Sequence, residues 1–477
     1  MHHRGQGIDL NRKCRHQAEP MPRGLWPVVA VAGQQIMGPM QLKHQLTVRE
    51  FAAWLLVLGS VLTIVALQYW MTHDSEEVAS SKSGDNMQFD LLSRYAVGVN
   101  HLFGRVSGQQ ALRGIEDYAL NPVDRLRLVM LTGEIFGGQV ALNHLDHVEF
   151  SDAQWSRDAV TLRTIYGQSK APTTAAIELL IADNQWFGQL AASFGKPTTD
   201  PMRQAVLAKA TRTLVVVLVL VPVVTILGIS GMVLLILAIV FWATGKLRPA
   251  YRPSRDRATG IFLESFGIFL IAMLALSALN LVIYRWFDLD LSLLVLLSMP
   301  LSLLWPRWRG LNWSTIGQAW GWTRGCGFWR EIAAGLVGYV AGLPLILLGV
   351  LGTVLLGLLL PGDGAHPVVE DLSTNSWKLL GLYLLAVGWA PLFEELIFRG
   401  AFYHHMRCRS GFGHSALVVG VIFAAIHPQG LIGIPVLTAI AVVIAAIREW
   451  RGSIIGCIAA HAVNNLWAIT LLLLLFR

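Results

Sequence analysis

The sequence predicts an all-α fold, a polytopic transmembrane helical bundle of about nine spans with a helical extracytoplasmic insert. Three observations predict it. Hydrophobic residues fill 54% of the 477 positions and charged residues only 14%, against about a quarter charged in a soluble globular chain. Apolar stretches of membrane-crossing length recur along the chain. The Lys and Arg residues sit in short loops beside those stretches, as the positive-inside rule requires. The net charge of +7 is therefore topological, and nucleic acid is excluded as a partner.

Taken in order, residues 1–50 are polar and basic (Arg4, Arg12, Lys13, Arg15, Arg23, Lys43, Arg49) and lack apolar periodicity. They read as a disordered cytoplasmic leader. Residues 51–70 form a transmembrane anchor, too long for a signal-peptide core. Residues 71–205 are the substantial soluble region. Stretches 90–103, 109–119, 123–136 and 174–194 show helical spacing of apolar residues, broken at Asn121-Pro122, Lys170-Ala171-Pro172 and Lys196-Pro197. His144 and His147 lack a third ligand and read as surface residues.

Residues 213–476 alternate spans and loops. The apolar stretches are 213–244, 259–284, 291–305, 332–360, 377–398, 415–427, 431–447 and 453–476. Basic loops (Lys246 to Arg257; Arg307 to Arg330; Arg448 and Arg451) are assigned to the cytoplasm. Residues 361–377 carry Asp363, Glu370 and Asp371 without Lys or Arg, and are assigned to the outside. The amino terminus then lies inside, the insert outside, and a bacterial inner membrane is the expected location. Stretches 291–305 and 415–427 are short for a crossing. The cysteines, Cys14, Cys326, Cys408 and Cys457, have no pairing or zinc spacing.

Ionisable groups at membrane depth are costly and point to function. The densest set closes the stretch 377–398: Glu394, Glu395 and Arg399. Neighbours on a helix point about 100° apart, so the two carboxylates face different ways. Glu395 and Arg399 stand at i, i+4 with the acid first, the favoured order for a helical ion pair. Glu394 is left to face another helix, where burial near imidazoles suits a general base. Two further pairs follow at the same spacing, Phe423/His427 and His461/Asn465. A histidine before Pro428 is by itself an ordinary helix end, and buried His and Asn also serve as interhelical glue. Asn464 points away from the His461/Asn465 face. His404, His405 and His414 read as solvated loop residues, Glu264 as a snorkelling acid, and Asn280 as glue.

Glu-Glu-x-x-x-Arg, then Phe-x-x-x-His, then His-x-x-x-Asn, on successive membrane helices, resembles the CPBP (Abi) family of intramembrane proteases. That family includes a Ras-converting CAAX endopeptidase and bacteriocin-processing or immunity proteins. The resemblance covers about residues 377–470, and no motif position is substituted. It implies peptide-bond hydrolysis within the bilayer. Glu394 would activate water with help from His427, His461 and Asn465 would stabilise the oxyanion, and Glu395 and Arg399 would organise the site. The implied partners are a peptide or membrane-protein substrate and the lipid bilayer. No cofactor is favoured. A divalent metal such as zinc on Glu394, His427 and His461 stays open, although the chain lacks a HExxH pair. Two rival readings use the same residues differently: a non-proteolytic scaffold or immunity-type protein, and a proton-coupled transporter, for which no inverted repeat is visible.

Overall fold

The computed structural model describes residues 47–79, 87–119, 121–148, 152–167, 171–253, 259–359 and 376–476. Most of the basic leader and of the acidic turn at 361–377 lie outside the described residues. Among the described residues all regular elements are helices, so the all-α expectation holds. Seven are long and apolar enough to cross a membrane: Val48–Trp70, Pro201–Ala243, Thr259–Phe287, Phe328–Leu359, Trp377–Arg409, Leu431–Arg451 and Ile455–Leu475. Ser292–Trp308 and Phe412–Ala425 are shorter apolar helices, at the two stretches the sequence marks as short. Only 6% of the most apolar window in Pro201–Ala243 is buried by protein. An apolar surface of that length needs a non-aqueous cover, which lipid supplies.

The chain divides into two units, residues 1–72 with 227–468, and residues 73–226 with 469–477. In the second, the helices Met87–Phe103, Pro122–Phe136, Ala153–Gly167 and Thr174–Ala192 bury Phe89, Val97, Leu126, Met130, Leu162, Leu180 and Phe187. The turn signals act as expected. The Asn121 side chain accepts from Asp124 N at 2.7 Å, with Pro122 in the first turn, where its missing N–H costs nothing. Thr173 caps the next long helix in the same way. Gly138–Leu145 and Ala153–Gly167 are further helices of this unit, outside the four stretches named from the sequence. His144 and His147 are exposed.

The membrane unit is built on close helix approach. A Cβ at Gly335 would meet Gly456 O at 2.2 Å, and one at Gly342 would meet a Val443 methyl, also at 2.2 Å. Phe328–Leu359 therefore packs backbone to backbone against its neighbours, as small residues allow in membrane helices. On the other side, Phe266 stacks on Phe402 with ring centroids 4.2 Å apart, and Phe398 joins edge-on.

Several expectations are corrected here. His404 and His405 are not solvated; both are buried. The helix bearing Glu394 runs on to Arg409, because Phe402, Tyr403 and Met406 continue its apolar face into the core. His404 Nδ1 lies 2.7 Å from the Tyr251 hydroxyl, and His405 Nδ1 lies 3.0 Å from Thr259 O. His414 is exposed. Cys408 and Cys457 are free thiols, but Cys326 is disulfide-bonded; sequence spacing carries no information on which thiols meet in space.

Glu264 does not simply snorkel, since it accepts from Trp305 Nε1 and Arg309 Nε, both at 2.9 Å. Asn280 accepts from Leu291 N at 2.6 Å.

Candidate active site

The glutamate helix, Trp377–Arg409, is not a uniform α-helix. It holds two π-helical segments, Leu384–Trp389 and Leu396–Phe402, and between them the α-helical turn Ala390–Glu395. Such wide turns reorient side chains and recur at functional sites. Pro391 accounts for one consequence. In the π register Ala390 N donates to Leu385 O, so the next donor, for Ala386 O, would be residue 391. Proline has no N–H to give. Asn465 Nδ2 takes its place, donating to Ala386 O at 2.8 Å.

The two carboxylates behave differently, as their helical offset requires. Glu395 is fully buried. Its Oε1 accepts from Arg399 Nη1 at 2.9 Å and stands 2.8 Å from His461 Nδ1. Arg399, also fully buried, donates to Ala441 O at 3.1 Å and lies 5.2 Å from the centre of the Phe423 ring. These contacts meet part of the polar edge that a buried ion pair needs met, while Glu395 Oε2 and Arg399 Nε make no hydrogen bond among the described residues.

Glu394 has no hydrogen bond among the described residues, and its Oε2 is buried. That oxygen lies 3.7 Å from His461 Nε2 and 3.9 Å from His427 Nε2. Both separations exceed a hydrogen bond. His427 stands just past the helix Phe412–Ala425, where Pro428 disfavours further α-helix. Its Nδ1 is 2.5 Å from Phe423 O. A carbonyl can only accept, so Nδ1 carries a proton and Nε2 is the nitrogen turned toward Glu394. The Phe423 ring packs 4.1 Å from the His427 ring and 6.1 Å from that of His461. Phe423 thus works as backbone acceptor and as wall.

The fold brings Glu394, Glu395, Arg399, His427 and His461 into one cluster. It holds Asn465 one turn beyond His461, against Ala386. Three participants have no motif to announce them. Gln68, from the first membrane helix, donates to His427 O at 2.9 Å; an amide within an apolar span is the signal that could have found it. Tyr339 donates to Asn464 Oδ1 at 3.1 Å, and Asn464 Nδ2 to Asn465 Oδ1 at 3.2 Å. Asn464 therefore does not stand apart from the His461/Asn465 pair.

Residues 376–467 match the family model described as "Rce1-like: Type II CAAX prenyl endopeptidase Rce1-like". This is the protease family the three motifs resemble, and the match spans all seven residues carried by them. No curated protein and no solved structure matches the chain.

Proposed function

We propose that this chain is an intramembrane endopeptidase that hydrolyses a peptide bond of a membrane-resident or membrane-anchored chain. The observation that carries the reading is the gap around Glu394 Oε2, a buried acceptor without a hydrogen bond among the described residues, under 4 Å from one nitrogen of each of two histidines. One water can touch all three groups. Glu394 takes a proton from that water as it attacks the peptide carbonyl, and His427, with its Nε2 facing inward, assists. His461, held through Nδ1 by Glu395, donates from Nε2 to the developing oxyanion when its ring carries both protons, and the free N–H of Asn465 donates beside it. The proton held by Glu394 passes to the departing amine as the carbon–nitrogen bond breaks. Glu395 and Arg399 touch no reacting atom and fix the angle of His461.

A second reading has its own support. Both histidines have Nδ1 tied to an acceptor, Phe423 O and Glu395, the outer-shell pattern of metal-binding imidazoles. Glu394, His427 and His461 would then hold a zinc-like ion, which supplies an acidified water. Ligands on a tetrahedral zinc lie about 3.4 Å apart, closer than the carboxylate–imidazole distances here, and among the described residues no group of three meets metal-site geometry. The metal-free reading is preferred.

Topology completes the proposal: an inner-membrane protein with its amino terminus in the cytoplasm and residues 71–205 outside. The test is cleavage of a fluorogenic peptide tethered in nanodiscs by the full-length protein. Glu394→Ala is expected to lower kcat by about 10²- to 10⁴-fold with unchanged folding. Parental rates from Glu394→Ala, His427→Ala and His461→Ala alike would sink the protease reading. Metal content of active protein, with activity after chelation, separates the two mechanisms.

A further inference from the structure

The Asn465 carboxamide sits at the end of a directed hydrogen-bond relay, and the direction of every link follows from chemistry. Ala386 O can only accept, so the atom of Asn465 facing it at 2.8 Å is Nδ2. Oδ1 of Asn465 then faces Asn464, and the atom of Asn464 meeting it at 3.2 Å must be Nδ2. That turns Oδ1 of Asn464 to Tyr339, whose hydroxyl must donate at 3.1 Å. The amide orientations, usually ambiguous between oxygen and nitrogen, are fixed by one backbone carbonyl that Pro391 leaves without a donor. Tyr339 comes from Phe328–Leu359, Asn464 and Asn465 from the last helix, and Ala386 from the glutamate helix. Three helices thus share the relay.

We infer that Tyr339 and Asn464 are positioning residues that hold the Asn465 carboxamide in one orientation. One of its two N–H groups is spent on Ala386 and the other is left free for charge developing on the substrate carbonyl. The inference rests on the endopeptidase reading above. Mispositioning a donor weakens transition-state contact more than ground-state binding, so the relay acts on kcat. Tyr339→Phe removes one hydroxyl. Asn464→Leu removes both links. Asn464→Asp keeps the shape but sets a carboxylate oxygen against Asn465 Oδ1, favouring the reversed amide.

The experiment combines kinetics with side-chain amide NMR on the full-length protein in nanodiscs. We expect kcat to fall about two- to fivefold in Tyr339→Phe and about tenfold or more in Asn464→Asp, with KM unchanged within about twofold. In an Asn465→Ala background, Asn464→Leu is expected to change kcat no further, since it acts through the missing amide. A residue that merely supports the fold would lower activity equally in both backgrounds, and that result overturns the inference. In asparagine-labelled protein, the Asn465 side-chain signal, assigned by its loss in Asn465→Ala, is expected to shift in Tyr339→Phe and Asn464→Asp. An unmoved signal refutes the relay. A shifted signal with parental cleavage by Asn465→Ala keeps the hydrogen bonds but overturns their catalytic purpose; inactivity of the parent itself removes the endopeptidase reading instead.

Discussion

Asp158 and Glu134 in the helical unit are hidden carboxylates, as Glu394 and Glu395 are in the membrane unit, yet they are hidden differently. Glu134 receives both terminal nitrogens of Arg203, at 2.6 and 2.7 Å. Asp158, with 1% of its side chain exposed, accepts from Asn184 at 2.8 Å, and Arg157 stands 3.6 Å away. Burial pushes its carboxyl up to about 6. Glu395 is met through Oε1, by Arg399 and His461. Glu394, its neighbour, makes no hydrogen bond and faces two imidazole nitrogens across gaps wider than a hydrogen bond. Burial of an acid therefore does not mark a site, and neither does a shifted carboxyl. An empty buried oxygen does not mark it either, since Asp158 Oδ1 and Glu395 Oε2 also lack a hydrogen bond among the described residues; what distinguishes Glu394 is a carboxylate with no hydrogen bond to them at all, facing two imidazole nitrogens.

The sharpest way to break this contrast is to neutralise each acid by its amide. Glu394→Gln is expected to lower kcat by about 10²- to 10⁴-fold while thermal unfolding in detergent stays at the parental temperature, because it has no hydrogen bond to lose. A drop in stability comparable to that of Glu395→Gln would place Glu394 among the structural acids. Next in size, Arg399→Leu leaves the buried Glu395 with His461 as its remaining partner and should destabilise the membrane unit by about 3–5 kcal/mol. Unfolding midpoints of Arg399→Leu alone and combined with Glu395→Leu measure this, with the double variant recovering part of the loss.

Smaller effects probe packing and the helical unit. Gly335→Val drives a side chain into Gly456 O and should cost about 1–3 kcal/mol, read by the same unfolding assay. Arg203→Ala removes the bidentate partner of Glu134 for about 1 kcal/mol, with cleavage at the parental rate. The smallest effect is a pH slope. The folded-state carboxyl of Asp158 lies above its ordinary value of 3.8, at about 6. Its contribution to stability is thus full below 3.8 and is lost as pH rises through 6. Subtracting the pH–stability profile of Asp158→Asn from that of the parent should isolate a fall over this window. A difference that is flat there would show Asp158 titrating normally.

Much of the site was legible because helical geometry is local. The i, i+4 spacing of Glu395 and Arg399 is a bond in the structure, and the offset of Glu394 from Glu395 sends them to different partners. Spacing also set Phe423 under His427, though through its backbone carbonyl, which no side-chain pattern shows. Asn464 was misjudged because helical phase gives a direction and not a neighbour, and Tyr339 and Asn465 both lie within its reach. His404 and His405 were misjudged because basic residues nearby looked like a loop, whereas Tyr403 and Met406 keep the helix in the core.

By itself the sequence determined the all-helical class, the long apolar stretches and the candidate site residues, since hydropathy and helical phase depend only on nearby positions. Tertiary structure decided the rest: that Glu395 serves Arg399 and His461 together, that Nε2 of His427 turns toward Glu394, and that Ala386 draws in Asn465. Those outcomes depend on how close helices pack and on which polar atoms burial leaves in need of partners. Neither quantity is written in the order of residues along one helix.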